Sequence, residues 1–143
     1  MKLLFICTGN TCRSPIAEGL AREIFGDSVQ VASAGLDACI GESVSAHALA
    51  VLKEQNIDLS GHRSRRVKAE LIEDADWIIP MTQAQEEALS RLFPQYKHKT
   101  RYLGAWGDQK RDVLDPWSGS LDVYRQTANE IRELLSALKG HLT

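Results

Sequence analysis

No stretch of the sequence approaches the roughly 20 apolar residues needed to cross a bilayer, and the run Leu3 to Cys7 is too short for a secretion-signal core. A cytoplasmic protein with no membrane partner is expected. The formal net charge is only −2, which gives no general attraction to nucleic acid or anionic lipid. Any preference for anions must therefore be built locally. Cysteine is sparse: Cys7, Cys12 and Cys39 are odd in number and lack the paired Cys-x-x-Cys spacing of a zinc site. In a reducing compartment this favours reactive or buried thiols over a disulfide framework, and no metal is expected. A phosphate loop ending in Gly-Lys-Ser/Thr is missing, and so is the Gly-x-Gly-x-x-Gly of a dinucleotide site. Internal repeats, low-complexity segments and an interdomain linker are absent as well. No cofactor is called for.

What remains is an ordinary globular composition of 143 residues, 43% hydrophobic and 25% charged, which fits one domain over residues 1–143. Lys2 to Cys7 is a short apolar run that breaks at Gly9, and Ser14-Pro15 opens a helical pattern to about Phe25. Pro15 suits a first helical position, and Glu18 falls near the positive end of the helix dipole. Strands are expected at Val29 to Ser33, Ala75 to Pro80 and Lys99 to Leu103, with helices over about Val44 to Gln55 and Gln83 to Phe93. A long loop, Gly104 to Gly119, precedes a last helix, Leu121 to Lys139, whose Tyr124, Ala128, Ile131, Leu134, Leu135 and Leu138 share one face. Strand and helix alternate throughout. The expected fold is α/β, a flavodoxin-like doubly wound four-stranded parallel sheet with helices on both faces. Ligands of such sheets bind beyond the carboxyl ends of the strands, where Cys7 falls.

The segment Cys7-Thr-Gly-Asn-Thr-Cys-Arg-Ser14 lies between that strand end and the helix. A loop curling around one point aims backbone N–H groups inward, and the helix adds its own N–H groups and positive dipole end. The result is a cradle for a tetrahedral oxyanion. Arg13 adds a planar fork for two phosphoryl oxygens, a geometry that lysine does not offer. Positive surroundings favour thiolate over thiol at Cys7, making it a nucleophile, and Ser14 can donate a hydrogen bond to the sulfur. Each residue alone also fits a buried cysteine and a surface arginine. A cation at a helix N-terminus is unfavourable unless an anion sits there, which supports a phosphate site.

Cys7 to Glu18, read as Cys-Thr-Gly-Asn-Thr-Cys-Arg-Ser-Pro-Ile-Ala-Glu, resembles the signature of low-molecular-weight protein tyrosine phosphatases. Ser33-Ala-Gly35, Gly61 to Arg65 and Asp112 to Pro116 resemble that family's later landmarks in order and approximate spacing, so the resemblance covers nearly the whole chain. It implies a cysteinyl-phosphate intermediate, with Cys7, Arg13 and Asp115 catalytic. Asp115 would be the general acid and later the base; Asp112 is its rival. Thr8, Gly9, Asn10, Thr11, Cys12 and Ser14 would bind phosphate or shape the loop. Asn10, Ser33 and His62 match a hydrogen-bonded support that holds Asn10 in a left-handed conformation, which Asn tolerates well. Cys12 matches a second cysteine that shields the nucleophile from irreversible oxidation. Cys39 looks inert.

Thr11 stands at the crown of the loop where phosphotyrosine-cleaving relatives usually carry an aliphatic residue that packs on a phenol. Its hydroxyl suits a guanidinium better, and the loop resembles the protein-arginine phosphatase branch of the family. Trp117 would form a substrate wall for either a phenol or a guanidinium. The expected partner is a phosphorylated protein, with phosphoarginine favoured and phosphotyrosine second. Thiol-coupled arsenate reductases share a similar loop but need two further cysteines, and only Cys39 lies outside it. A non-catalytic phosphoresidue-binding module would not require Cys7 and Asp115 together. The residues set no oligomeric state.

Overall fold

A computed structural model describes residues 1–142. Three strands, β1 (Lys2–Cys7), β2 (Gln30–Gly35) and β3 (Trp77–Pro80), form a parallel sheet in the order β2-β1-β3. Five helices accompany them: α1 (Arg13–Phe25), α2 (Ala46–Glu54), α3 (Ala69–Asp74), α4 (Gln83–Leu92) and α5 (Leu121–Leu142). Central β1 pairs Phe5 with Ser33 on one side and with Ile79 on the other. Its unbroken apolar sequence follows from burial on both faces.

Alternation along β1 divides the core in two. Leu3 and Phe5 pack with Ile16 and Leu20 of α1, Val51 and Leu52 of α2, and Ile131, Leu135 and Leu138 of α5. Leu4 and Ile6 face the other way, toward Ile72 of α3 and Leu89 of α4. Helices therefore cover both faces of the sheet. Each fully buried Leu or Ile contributes on the order of 1.5–3 kcal/mol of transfer free energy, enough to make this sandwich the frame that fixes the end of β1.

The fourth strand expected over Lys99 to Leu103 does not form. Thr100 makes one isolated parallel bridge to Ile78, and Arg101 N–H donates to the Ile78 carbonyl at 3.0 Å. On either side the chain is wound into 3₁₀ turns, Pro94–Lys99 and Leu103–Trp106. Pro94 opens the first of these turns, while the second buries Leu103 and Trp106, so the segment spends its apolar residues on turns instead of a ladder. That second turn also makes the beginning of the expected long loop part of the core. Helix α3 was not anticipated; it is only six residues long and buries only Ile72 of its own.

Candidate active site

Three elements converge on the carboxyl end of β1. The strand delivers Cys7, buried at 3% exposure, and the chain then loops through residues 8–12 into α1, which begins at Arg13 with Cys12 as its cap residue. Gly35, at the end of β2, packs against this loop so closely that a Cβ there would lie 2.7 Å from the Thr8 carbonyl oxygen and 3.1 Å from Asn10 Cβ. The Cys7 and Thr8 carbonyls accept from Leu36 N–H and Asp37 N–H, each at 2.9 Å, and pin the loop to the segment after β2.

Asn10 organises the interior of the loop. Its backbone is left-handed at φ 57°, as the sequence led one to expect, and its N–H donates to Cys7 Sγ at 3.3 Å. Its fully buried side chain uses every polar atom. Oδ1 accepts from Arg65 N–H at 3.1 Å, while Nδ2 donates to Ser14 Oγ and to Ser33 Oγ, both at 2.9 Å. Ser33 Oγ in turn donates to Glu18 Oε1 at 2.7 Å. Because Ser14 Oγ accepts from Asn10, its own proton is free for Cys7 Sγ, 2.9 Å away. The hydroxyl is thus oriented to stabilise a thiolate.

His62 joins this support at one remove. Its Nδ1 is 4.0 Å from Glu18 Oε1, beyond hydrogen-bond range, and Arg65, not His62, supplies the backbone donor to Asn10. Glu18 is the member whose place sequence reasoning misjudged. It does not serve the helix dipole, since the first turn of α1 holds no acidic residue; its buried carboxylate takes Ser33 and pairs with Arg22 at 2.8 Å. The clue was spacing, because position 18 lies one turn past Ser14 on the same face of α1.

Arg13 is buried, and its Nη1 donates to the Val113 carbonyl at 2.9 Å, while Nη2 lies 3.8 Å from Asp115 Oδ2. Its position against a backbone carbonyl a hundred residues away could not be read from side-chain patterns. Asp115 accepts Trp117 N–H at 3.1 Å and stays half-exposed. Asp112, its rival, is committed elsewhere: its Oδ1 accepts Gln83 N–H at 2.8 Å at the start of α4. Cys7, Thr8, Gly9, Thr11, Cys12, Arg13, Asp115 and Trp117 line one cleft of about 230 Å³. Larger hollows elsewhere on the surface contain neither Cys7 nor Arg13.

Two side chains hold the far side of the loop without having been singled out for it. Ser45 N–H donates to the Thr11 carbonyl at 3.0 Å, and Ser45 Oγ and Tyr124 Oη each lie 3.4 Å from Cys12 Sγ. Burial is the main reason that the Tyr124 phenol is pushed up to about 12, with its bond to Cys12 acting in the same direction. Gln85 of α4 reaches Thr8 Oγ1 at 3.2 Å while its Oε1 accepts Met81 and Thr82 N–H. Cys7, Cys12 and Cys39 are all free thiols, Cys39 on an exposed turn. Among the described residues no group of three His, Cys, Asp or Glu side chains gathers to hold a metal ion, and no helix is long and apolar enough to cross a membrane.

The arrangement sets the Cys7 sulfur, the Arg13 guanidinium and the half-exposed Asp115 carboxylate around one hollow. The comparisons agree with that geometry. A model of the family "Low molecular weight phosphotyrosine protein phosphatase" matches residues 2–143. A protein-arginine-phosphatase of Bacillus subtilis is 40% identical over 99% of this chain and 97% of its own length. The low molecular weight protein-tyrosine-phosphatase Wzb of Salmonella typhi is 36% identical over 97% of each. A solved structure of the YwlE arginine phosphatase, a mutant with phosphorylated active site serine, superposes with a TM-score of 0.92 at 39% identity, covering 99% of this chain and 95% of that one. With its cleft at the end of β1 and this match over nearly every residue, the chain belongs to the low molecular weight phosphotyrosine protein phosphatase family.

Proposed function

We propose that the chain removes the phosphoryl group from phosphoarginine on proteins, by way of a cysteinyl-phosphate intermediate. The observation that carries this reading is the single cleft in which Cys7, Arg13, Asp115 and Thr11 meet. In the first step Cys7 Sγ attacks phosphorus, the P–N bond breaks, and protonated Asp115 gives its proton to the departing guanidine nitrogen. Arg13 holds the equatorial oxygens as charge spreads over them, its orientation set by the Val113 carbonyl. In the second step a water attacks phosphorus, Asp115 takes its proton, and the S–P bond breaks to return the Cys7 thiolate and free phosphate. Ser14 supports the thiolate at both ends of the cycle, and the bonds among Asn10, Ser33 and Glu18 keep it there.

Thr11 sits at the rim of the cleft with a hydroxyl where an aromatic leaving group would prefer carbon, and it favours a guanidinium. The 40% identity to a protein-arginine-phosphatase supports the same choice. Phosphotyrosine is the second reading, favoured by the 36% identity to a tyrosine phosphatase, while the exposed Trp117 ring can stack on a phenol or a guanidinium alike. The test compares kcat/KM on matched phosphoarginine and phosphotyrosine peptides for wild type and Thr11→Ile. Wild type is expected to prefer phosphoarginine and the variant to shift toward phosphotyrosine. A wild type that prefers phosphotyrosine sinks the arginine reading while leaving the cysteine chemistry intact.

The same reading treats residues 1–143 as one flavodoxin-like, doubly wound domain, with Thr100 marking the place of a vestigial fourth strand. It takes the protein to be cytoplasmic, with phosphorylated proteins as its partners rather than nucleic acid or membrane. His62 acts through Glu18, and Cys12 protects Cys7 from overoxidation by reversible disulfide formation.

A further inference from the structure

The segment around Asp115 leaves large apolar side chains in water: Leu114 is 78% exposed, Trp117 72% and Val123 38%. Trp117 belongs to the cleft already described. Leu114 and Val123 instead line a second hollow of about 170 Å³ together with Pro116 and with Gln126, Thr127 and Glu130 of α5. Asp115 lines both hollows, so the second begins one side chain away from the reacting centre.

Its lining carries two carboxylates, Asp115 and Glu130, and no cation. Glu130 is short of donors. Its Oε1 is shielded from solvent and has no hydrogen-bond partner among the described residues. Its Oε2 lies 3.9 Å from Arg111 Nε, too far for a hydrogen bond, and Arg111 approaches Glu133 more closely, at 3.4 Å. A half-desolvated carboxylate at the end of an apolar trough is costly unless a donor arrives from outside. The complementary shape is an aliphatic stem with a cationic head.

We propose that this hollow is a substrate subsite for an unmodified lysine or arginine side chain close in sequence to the phosphorylated residue of the target protein. The stem lies along Leu114, Pro116 and Val123, and the head makes a charge-assisted hydrogen bond to Glu130. The proposal rests on the phosphatase reading, and it adds a selectivity for basic surroundings that a free phosphoamino acid cannot use.

The test uses a set of phosphoarginine peptides of one sequence, each with lysine, norleucine or glutamate at one of the two positions on either side of the phosphorylated residue. Phosphate release gives kcat and KM for wild type, Glu130→Gln and Glu130→Lys, with p-nitrophenyl phosphate as the substrate that fills only the cleft. At one position at least, wild type should favour lysine over norleucine by about three- to tenfold, mainly through KM, the range of a partly buried ion pair. Glu130→Gln should erase that preference without changing turnover of p-nitrophenyl phosphate, and Glu130→Lys should turn it toward glutamate. Equal turnover of lysine and norleucine peptides at all four positions, or a lysine preference that survives in Glu130→Gln, would overturn the subsite while phosphatase activity stands. A wild type without turnover on any of these substrates would remove the phosphatase reading and the subsite with it.

Discussion

At the scale of single residues, two aspartates three positions apart do different work, and the difference lies in their partners. Asp112 is spent on the Gln83 N–H, whereas Asp115 faces Arg13 across the cleft. Asp115→Asn should therefore slow hydrolysis of an alkyl phosphate far more than that of p-nitrophenyl phosphate, whose leaving group needs little protonation. Asp112→Ala should leave both rates alone and lower stability by about 0.5–1 kcal/mol through loss of a helix-end acceptor. Steady-state rates and denaturant midpoints for the two variants check the assignment; equal losses on both phosphates for Asp115→Asn would refute it. The residues from Cys7 to Ser14 were legible in the sequence because they are contiguous, one loop between one strand end and one helix start, although Asn10 and Cys12 also lean on Ser33, Arg65, Ser45 and Tyr124 from distant segments. Glu18 and the Val113 carbonyl were not. A carboxylate on a helix has an obvious role in the dipole, and a backbone carbonyl carries no signature in a side-chain alphabet, so only the folded chain reveals that both serve the loop.

Among the elements, β2 matters to the site through what it lacks. Gly35 lets the strand end against the loop, and its N–H and carbonyl pair with Arg65 and Val67 on the far side. A methyl group there would meet the Thr8 carbonyl oxygen at 2.7 Å and Ala38 Cβ at 2.9 Å, neither of which is the end of a flexible side chain. Gly35→Ala should cost about 1–3 kcal/mol and depress kcat by moving Thr8 and Asn10. Gly61→Ala, where the added Cβ meets nothing within 4 Å, is the matched control. Melting temperature and turnover measured together decide it, and a stable, fully active Gly35→Ala would show that the loop does not depend on this contact. Helix α5, with its strong period, and β1, with its unbroken apolar run, were plain from the sequence because burial imposes each pattern directly. The fourth strand failed for the converse reason. Residues 99–103 show strand-like composition, but only 100–102 lie between the two 3₁₀ turns, and a ladder needs length that Pro94 and the buried Leu103–Trp106 turn do not leave.

On the scale of the whole molecule, the site is joined to the global fold through α5, whose Tyr124 closes against Cys12 within the core that α5 shares with α1 and α2. Because burial pushes this phenol up to about 12 from an ordinary 10, the unfolded chain ionises first as pH rises. Whatever stability the group contributes is complete below pH 10 and is lost as pH climbs from 10 through 12. Chemical denaturation at a series of pH values should show a steeper decline for wild type than for Tyr124→Phe in that window, and parallel curves would refute the coupling. The abandoned strand bears on the molecule in another way. Trp77–Pro80 is only four residues long, closes with a proline that has no N–H to offer, and meets Thr100 and Arg101 along its outer side. A sheet finished like this presents no row of open amides on that flank, so it is a poor template for a second chain to add a strand. Giving up a regular fourth strand thus guards this flank against fibril-like, edge-to-edge growth when the protein is crowded.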